Sequence, residues 1–277
     1  GDGRPIAEDA VGRVVVGTLV GEVLQFDGSL VAPVDLGSQA NGAAVQAIHL
    51  EPDGTLWLGT EGDGLVVVRR ERVAAITTRH GLLHSDVTQI IADDRGHLWF
   101  GSRGAGLTHY RGEAFSTFRG FKPISIAEDP QGTLWLGTAN GLARFDGNAF
   151  SEQRKGFADQ SWNYSVSVDP QGRVGFGQNM IDPSRNGISW FDGTNYHVTS
   201  VPDDRRFPDI FWTFHDRRGD LWAGGRRGVE HYHDGQRTSY TMQQGLGSDL
   251  VLSLAEDEAG TIWVGTDGGG LSHIGPA

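Results

Sequence analysis

The heptapeptide GTLWLGT occurs twice in identical form, at residues 54–60 and 132–138. Close variants stand at 96–102 (GHLWFGS), 219–225 (GDLWAGG) and 260–266 (GTIWVGT), and weaker ones at 12–18 (GRVVVGT) and 172–178 (GRVGFGQ). Their first glycines, at positions 12, 54, 96, 132, 172, 219 and 260, recur on average every ~41 residues. Seven copies at this period account for the whole chain, so residues 1–277 are predicted to form a single domain.

Each copy carries the signals of four short antiparallel strands. An alternating run such as VTQIIADD (87–94) leads through an Asp-x-x-Gly turn into the Trp strand, and a glycine-rich turn such as SRGAG (102–106) follows. A third run then reaches a short Asp-Gly turn and a more polar fourth strand. Four strands in about 40 residues, without helical periodicity, are typical of a propeller blade. We therefore predict an all-β fold, a seven-bladed β-propeller with four-stranded antiparallel blades.

The last blade is predicted to differ from the others. The sequence opens with a first strand at residues 5–8 and closes with a third strand at 271–274, so the fourth strand of the seventh blade is missing. That blade either has three strands or is completed from outside this sequence. The start at Gly1 rather than Met favours a segment cut from a longer protein.

Composition excludes several classes of function. The 277 residues include 42 glycines and no cysteine, which excludes disulfides, thiol catalysis and cysteine-bound metal. A formal net charge of −12 argues against sequence-independent binding to nucleic acid or to anionic membranes. Apolar runs are far shorter than the ~18 residues of a membrane span, so no direct membrane insertion is expected. Neither the composition nor any motif indicates a cofactor.

The repeated tryptophans are interpreted as architecture rather than as a ligand cage. A large ring on the second strand fills the space between neighbouring blades. The acidic residues before each Asp-x-x-Gly match no twelve-residue calcium loop, and turn formation accounts for them. The tryptophans in question are Trp57, Trp99, Trp135, Trp222 and Trp263.

Two of the copies resemble the two-component-regulator propeller repeat nearly end to end. They are HGLLHSDVTQIIADDRGHLWFGSRGAGLTHY (80–110) and QGLGSDLVLSLAEDEAGTIWVGTDGGGLSHI (244–274). The resemblance implies an extracytoplasmic sensor region of a bacterial hybrid histidine kinase or related regulator, which perceives a small molecule, often an oligosaccharide. It implies a periplasmic or extracellular location and a downstream signalling domain in the parent protein. Members of that family typically carry two propellers in tandem, whereas this chain holds one.

A ligand is expected on the face formed by the loops between blades and by the turns joining second and third strands, where the copies differ most. The fifth copy replaces Trp with Gly175 and inserts QNMIDPSRNG (178–187), and the longest connection is VPDDRRFPDIFW (201–212). Aromatic rings, arginines and amides are the groups that hold a sugar or an anionic oligosaccharide. Phe211 and Phe214 are instead assigned to the core. The predicted ligand-binding residues are Arg206, Trp162, Tyr164, Arg205, Phe207, Arg226, Arg227, Arg103, His84 and Asn179.

Two other functions stay open. Seven-bladed propellers of similar repeat include streptogramin lyases, in which His and Glu act with magnesium, and His84 or His80 beside Asp86 is compatible with that chemistry. A protein-interaction scaffold is the second alternative. No nucleophile elbow or phosphate loop occurs, and no catalytic residue is assigned. His231 and His233 point to one side of a predicted strand, but a third ligand is not evident in the sequence, so no metal site is predicted.

Overall fold

The computed structural model describes most of the chain. The described residues are 5–8, 13–26, 29–37, 42–70, 72–112, 114–120, 122–138, 141–146, 149–153, 161–162, 165–180, 187–199, 210–257 and 259–275. They form seven antiparallel sheets in chain order, so the chain is the predicted seven-bladed β-propeller. The chain divides into two compact units, residues 3–123 with blades 1–3 and residues 124–277 with blades 4–7. The assignment of all 277 residues to a single domain remains a prediction.

The first unit contains three four-stranded blades whose strands pair in chain order. Blade 1 consists of β1 (Ile6–Glu8), β2 (Val14–Gly17), β3 (Val23–Phe26) and β4 (Val31–Pro33). Blade 2 consists of β5 (Val45–Leu50), β6 (Leu56–Thr60), β7 (Leu65–Arg69) and β8 (Arg72–Ile76). Blade 3 consists of β9 (Val87–Ala92), β10 (Leu98–Ser102), β11 (Gly106–Tyr110) and β12 (Phe115–Arg119).

The second unit begins with two blades of different regularity. Blade 4 consists of β13 (Pro123–Glu128), β14 (Leu134–Thr138), β15 (Gly141–Phe145) and β16 (Phe150–Gln153). Blade 5 has five strands because its innermost strand is split in two, and both pieces pair with the long β19. The strands of blade 5 are β17 (Ser161–Trp162), β18 (Val166–Val168), β19 (Val174–Met180), β20 (Gly187–Phe191) and β21 (Tyr196–Thr199).

Blade 6 is regular, whereas blade 7 has three strands, one of the two outcomes expected from the sequence. Blade 6 consists of β22 (Ile210–His215), β23 (Leu221–Gly225), β24 (Gly228–His233) and β25 (Gln236–Tyr240). Blade 7 consists of β26 (Val251–Glu256), β27 (Ile262–Thr266) and β28 (Gly270–Ile274). Without a fourth strand among the described residues, Leu271 on β28 is 67% exposed, whereas Val229 at the same position of blade 6 is fully buried.

The cores lie between adjacent blades, as the interpretation of the tryptophans requires. The Trp57 ring of blade 2 packs against Phe100 and Tyr110 of blade 3, with ring centroids 5.6 and 5.4 Å apart. In blades 2, 3, 4 and 6 the repeated Trp is almost fully buried, and only Trp263 of the three-stranded blade 7 is partly exposed. At about 25 cal/mol per Å² of buried apolar surface, burying an aromatic ring of this size stabilises the fold by several kcal/mol. These residues therefore hold the sheets together.

An acidic residue clamps each repeated Trp to the preceding turn. In blade 4, Asp129 Oδ1 accepts the backbone N–H groups of Gln131 and Thr133, while Oδ2 accepts the Nε1–H of Trp135 at 2.9 Å. The same indole bond recurs in the other blades that carry the Trp, from Trp57 to Glu51, Trp99 to Asp93, Trp222 to Asp216 and Trp263 to Asp257. Turn formation thus explains the acidic column, as expected, and the indole bond is a second reason for it.

Regular structure outside the sheets is limited in the described part of the chain. It contains two one-turn 3-10 helices, Thr78–His80 and Met242–Gln244, each closed by a capping box and followed by a left-handed glycine. None of its helices is long and apolar enough to cross a lipid bilayer.

Candidate functional site

Each blade has two ends that differ in chemistry. The end that carries the turn between the second and third strands, here called the 2–3 end, also receives the connection from the preceding blade. The opposite end, here called the 1–2 end, carries the Asp-x-x-Gly turn. The predicted ligand-binding residues of the described turns lie at 2–3 ends, His84 and Arg103 in the first unit and Arg226 and Arg227 in the second.

His84 and Arg103 are joined through Asp86. The backbone N–H of Asp86 donates to His84 Nδ1 at 3.0 Å, and Arg103 Nε donates to Asp86 Oδ2 at 3.1 Å. The guanidinium of Arg103 also reaches the Gln46 amide oxygen at 3.4 Å and remains 65% exposed. Asp86 Oδ1 is buried and accepts no hydrogen bond from the described residues. This His84–Asp86–Arg103 cluster therefore offers an exposed cation to a polar ligand, and the enclosed Asp86 carboxylate holds that cation in place.

The 2–3 end of blade 6 presents a second basic surface. The Arg226 guanidinium lies 5.4 Å from the centre of the Phe211 ring, within the range of a cation–π contact. Its neighbour Arg227 lines a small pocket with Ile210 and Glu230. The Glu230 carboxylate is held by Ser239 Oγ at 2.7 Å and by Arg237 Nε at 3.2 Å. This end thus carries one arginine over an aromatic ring and a second arginine that lines a pocket with a fixed carboxylate.

Bulges in the first strands of blades 2 and 6 shape the surfaces around Arg103 and Arg226, and the sequence did not predict these bulges. In β5 and β22 one extra residue interrupts the pairing with the second strand, Gln46 between Val45 and Ala47 and Phe211 between Ile210 and Trp212. A bulge re-aims the side chain of the extra residue. Gln46 reaches Arg103, and Phe211 lies beside Arg226. Phe211 stands on the first strand, as expected, and contacts Arg226, whereas Phe214 packs against the core cluster of blades 6 and 7.

The other predicted site residues are placed incompletely. Trp162 of the two-residue strand β17 pairs with Asn179 near the end of the long strand β19, so both stand in strands where loops were expected. Strand β19 continues to Met180, three residues into the predicted insertion. Tyr164, Arg205, Arg206 and Phe207 lie outside the described residues, and their part in binding remains a prediction.

Histidines stack on the repeated Trp at the 1–2 ends of blades 3 and 6. The rings of His109 and Trp99 are nearly parallel with centroids 3.8 Å apart, and those of His231 and Trp222 have the same spacing. Burial, reinforced by the nearby Arg111, lowers the pKa of His109 to about 4. This histidine is therefore neutral at physiological pH.

Blade 5 fills the place of its missing Trp differently. A Cβ added to Gly175 would lie 2.8 Å from Cε1 of His215, so this histidine occupies space next to the glycine. The His215 ring hydrogen-bonds Ser167 through Nδ1 at 3.0 Å, and burial lowers its pKa to about 4. Asp169, whose counterparts bind an indole, instead pairs with Arg173. The substitution is therefore compensated within the core of the second unit.

The sequence comparison identifies the repeat. The fold defines the class of protein, a seven-bladed β-propeller. Within this class, the family described as the two component regulator propeller matches residues 81–104, 122–140 and 245–268. The resemblance inferred from the sequence is thereby confirmed. Among curated proteins, no relative matches the chain significantly.

The structural comparison supports the same fold. The chain superposes on the extracellular domain of BT4673 from B. thetaiotaomicron, described as a one-component system, with a TM-score of 0.75 and 20% identity over 97% of this chain and 37% of that one. It also superposes on virginiamycin B lyase from Staphylococcus aureus, with a TM-score of 0.75 and 13% identity over 97% of this chain and 92% of the lyase. For PorZ of Porphyromonas gingivalis the TM-score is 0.72 and the identity 15%, over 98% of this chain and 46% of PorZ. At these identities the likeness shows the fold alone, and the chain spans little more than a third of the BT4673 extracellular domain.

Proposed function

We propose that this propeller is the ligand-binding sensor region of a bacterial signalling protein and that it works in the periplasm or outside the cell. The two-component-regulator repeats and the likeness to the extracellular domain of the one-component system BT4673 support this proposal. A further signalling domain of the parent protein would carry the response. Fold alone does not define function, and the residues at the 2–3 ends are the ones that would contact a ligand.

The contact between Arg226 and Phe211 carries the proposal. An arginine lying over an aromatic ring, beside a second arginine in a pocket with a fixed carboxylate, is suited to a sugar ring that bears an acidic group. The sugar ring would pack beside the Phe211–Arg226 pair, and the acidic group would pair with the exposed guanidinium groups. We therefore assign the ligand to the class of acidic small molecules or oligosaccharides.

The basic turns contrast with the net charge of the protein. The chain carries a formal net charge of −12, so it repels anions at long range and needs local cations to bind them. Arg103, Arg226 and Arg227 provide such cations on turns between second and third strands. The equivalent turns of blades 2 and 7 carry acidic residues instead, Glu61 and Asp63 in one and Asp267 in the other.

The two ends of blade 6 provide a matched experiment. Arg226–Arg227 stand at the 2–3 end and Arg217–Arg218 at the 1–2 end, so alanine at either pair changes the net charge equally. Oligogalacturonates, chondroitin sulfate oligosaccharides and neutral xylo-oligosaccharides are first screened by thermal shift. At a hundred times Kd a true ligand stabilises by about 2.7 kcal/mol, which raises Tm by at least about 5 °C.

Calorimetric titration of the best saccharide then decides the site. We expect R226A/R227A to raise Kd at least tenfold, because each lost charge-assisted bond is worth about 1.5–3 kcal/mol. R217A/R218A should leave Kd within about twofold. Equal effects of the two pairs, or no saccharide that shifts Tm, would refute the proposal. Consumption of the ligand in a metal-dependent manner would instead support a lyase, and capture of a protein partner alone would support a scaffold.

A further inference from the structure

The 1–2 end of blade 6 brings four metal-ligating side chains together, away from the 2–3 end discussed above. His231 Nε2 lies 3.3 Å from Asp220 Oδ2, and His233 Nδ1 lies 2.9 Å from Asp220 Oδ1. Asp216 joins them, and one donor atom from each of Asp216, Asp220 and His231 lies within 4.8 Å of the other two. Asp220 is thus the third ligand that could not be found by inspecting the sequence around the two histidines.

We propose that Asp216, Asp220 and His231 bind a divalent transition-metal ion of the zinc type, with His233, which contacts Asp220, as a fourth ligand. Imidazole and carboxylate are the ligands such ions take, with bonds of about 2.0–2.2 Å. Two ligands around one tetrahedral ion are therefore about 3.3–3.5 Å apart, close to the separation between His231 and Asp220. The two donors of Asp220 and His233 need to separate by only a few tenths of an ångström.

The surrounding groups orient the ligands as a metal site requires. The Trp222 ring stacks on His231 with an interplanar angle of 12° and fixes the plane of the imidazole. His233 Nε2 faces Asp234 Oδ2 at 3.5 Å, an outer carboxylate of the kind that often supports a metal-bound histidine. Asp216, Asp220 and His231 are buried, whereas the His233 side chain is 58% exposed. An ion would enter from solvent past His233.

One cation already stands near the cluster. The Arg218 Nη2 atom lies 3.6 Å from Asp216 Oδ2 and 3.8 Å from Asp220 Oδ2. Its side chain is 49% exposed, so it can swing into solvent without unpacking the core. Asp216 Oδ2 also accepts the Trp222 indole bond at 3.0 Å, which still leaves a lone pair of that oxygen for an ion.

Blade 3 offers a natural comparison at the same positions. There Asp93, His97, His109 and Arg111 replace Asp216, Asp220, His231 and His233. Arg111 Nε donates to His109 Nδ1 at 3.3 Å, so the proton of the neutral ring is on Nε2. That nitrogen is buried without a hydrogen-bond partner among the described residues, and it has no lone pair to give to an ion. The guanidinium also adds a fixed positive charge, so blade 3 is not expected to bind metal.

The test uses the tag-free 277-residue protein after chelator treatment, titrated with Co²⁺ and Zn²⁺. We expect one equivalent of Co²⁺ to give the visible absorption of a low-symmetry site, Zn²⁺ to displace it, and Zn²⁺ to raise Tm. H233A removes an exposed side chain, so it should fold normally and weaken Co²⁺ binding at least about tenfold. H97A in blade 3 should leave the affinity unchanged.

A variant that gains a second site tests the proposal without relying on loss of Co²⁺ binding. Replacing both His97→Asp and Arg111→His copies the blade 6 arrangement into blade 3, so the stoichiometry should rise from one ion to two. If Co²⁺ gives no visible absorption and Zn²⁺ leaves Tm unchanged, the cluster is a hydrogen-bonded network and the proposal fails. Equal weakening by H233A and H97A would overturn it as well.

Discussion

Removing the carboxylate that clamps a buried indole should destabilise the propeller by an amount set by the burial of that indole. Asp129 in blade 4 accepts three hydrogen bonds, and the Trp135 ring that it holds is 4% exposed. In D129A the indole N–H is left buried without a partner, at a cost of about 1–3 kcal/mol. The two turn bonds add less, because water replaces the carboxylate there. We expect a loss of about 2–4 kcal/mol in all.

Asp257 in blade 7 is the matched position, and it belongs to the same unit. It accepts the same three bonds, from the backbone of Ala259 and Thr261 and from Trp263 Nε1 at 2.9 Å. Trp263 is 36% exposed, so water can reach its N–H group in D257A. The loss in D257A should therefore be less than half of that in D129A.

Urea unfolding followed by circular dichroism measures both losses, provided that the slope with denaturant is unchanged. D129N serves as a control, because its amide oxygen keeps the turn bonds while its NH₂ group faces the indole donor. It should fall between the wild type and D129A. Equal losses in D129A and D257A would refute the link between burial of the indole and the cost of removing its acceptor.

Two further predictions concern histidines. His109 has a folded-state pKa of about 4, below the ordinary 6.5, so protons bind the unfolded state more tightly and stability falls as pH decreases from about 6.5 to 4. H109V places at this position the residue that blade 2 has there, Val67. Between about pH 7.5 and 4.5, its free energy of unfolding in urea should rise by about 2 kcal/mol relative to that of the wild type. If the difference between the two proteins does not change with pH, His109 is not a buried neutral ring. His80 Nδ1 accepts the N–H of Thr77 at 3.0 Å, as Gln244 accepts that of Thr241. H80Q should therefore keep its Tm, whereas H80A should lose about 0.5–1.5 kcal/mol, and equal Tm values would show that the cap contributes nothing.

The fold could be predicted from the sequence because the same pattern of strands and turns recurs in seven copies. Five of the copies place Gly, Trp and an acidic residue at the same offsets, and in each of them the acidic residue accepts the indole hydrogen bond. The three strands of blade 7 could also be anticipated by counting strands. Local patterns were sufficient for this, because each blade is built from neighbouring strands joined by short turns.

The candidate sites depend on contacts that local patterns do not encode. Asp220 meets His231 and His233 only through the register of β23 against β24, across 11 and 13 residues of sequence. The bulges that re-aim Gln46 and Phe211 are shifts in the pairing of the first strand with the second, which the sequence of one strand alone does not show. Both features are properties of pairing between strands. They therefore become visible only when the sheet is assembled.

The repeat itself indicates which residues are available for function. Because seven copies build one scaffold, a residue that differs between copies at the same backbone position is not required by the fold. The position opposite the repeated Trp on the third strand illustrates this, since it holds Val67, His109, Arg144, His231 and His273 in the copies that carry the Trp. The turn between the second and third strands varies in the same way, acidic in blades 2 and 7 and basic in blades 3 and 6. The two ends of blade 6 depart from the repeat independently, one by a pair of arginines and the other by a His-x-His pair beside Asp220. A substitution at one end should therefore leave binding at the other unchanged, and a variant that abolished both would point to loss of the blade rather than of a site.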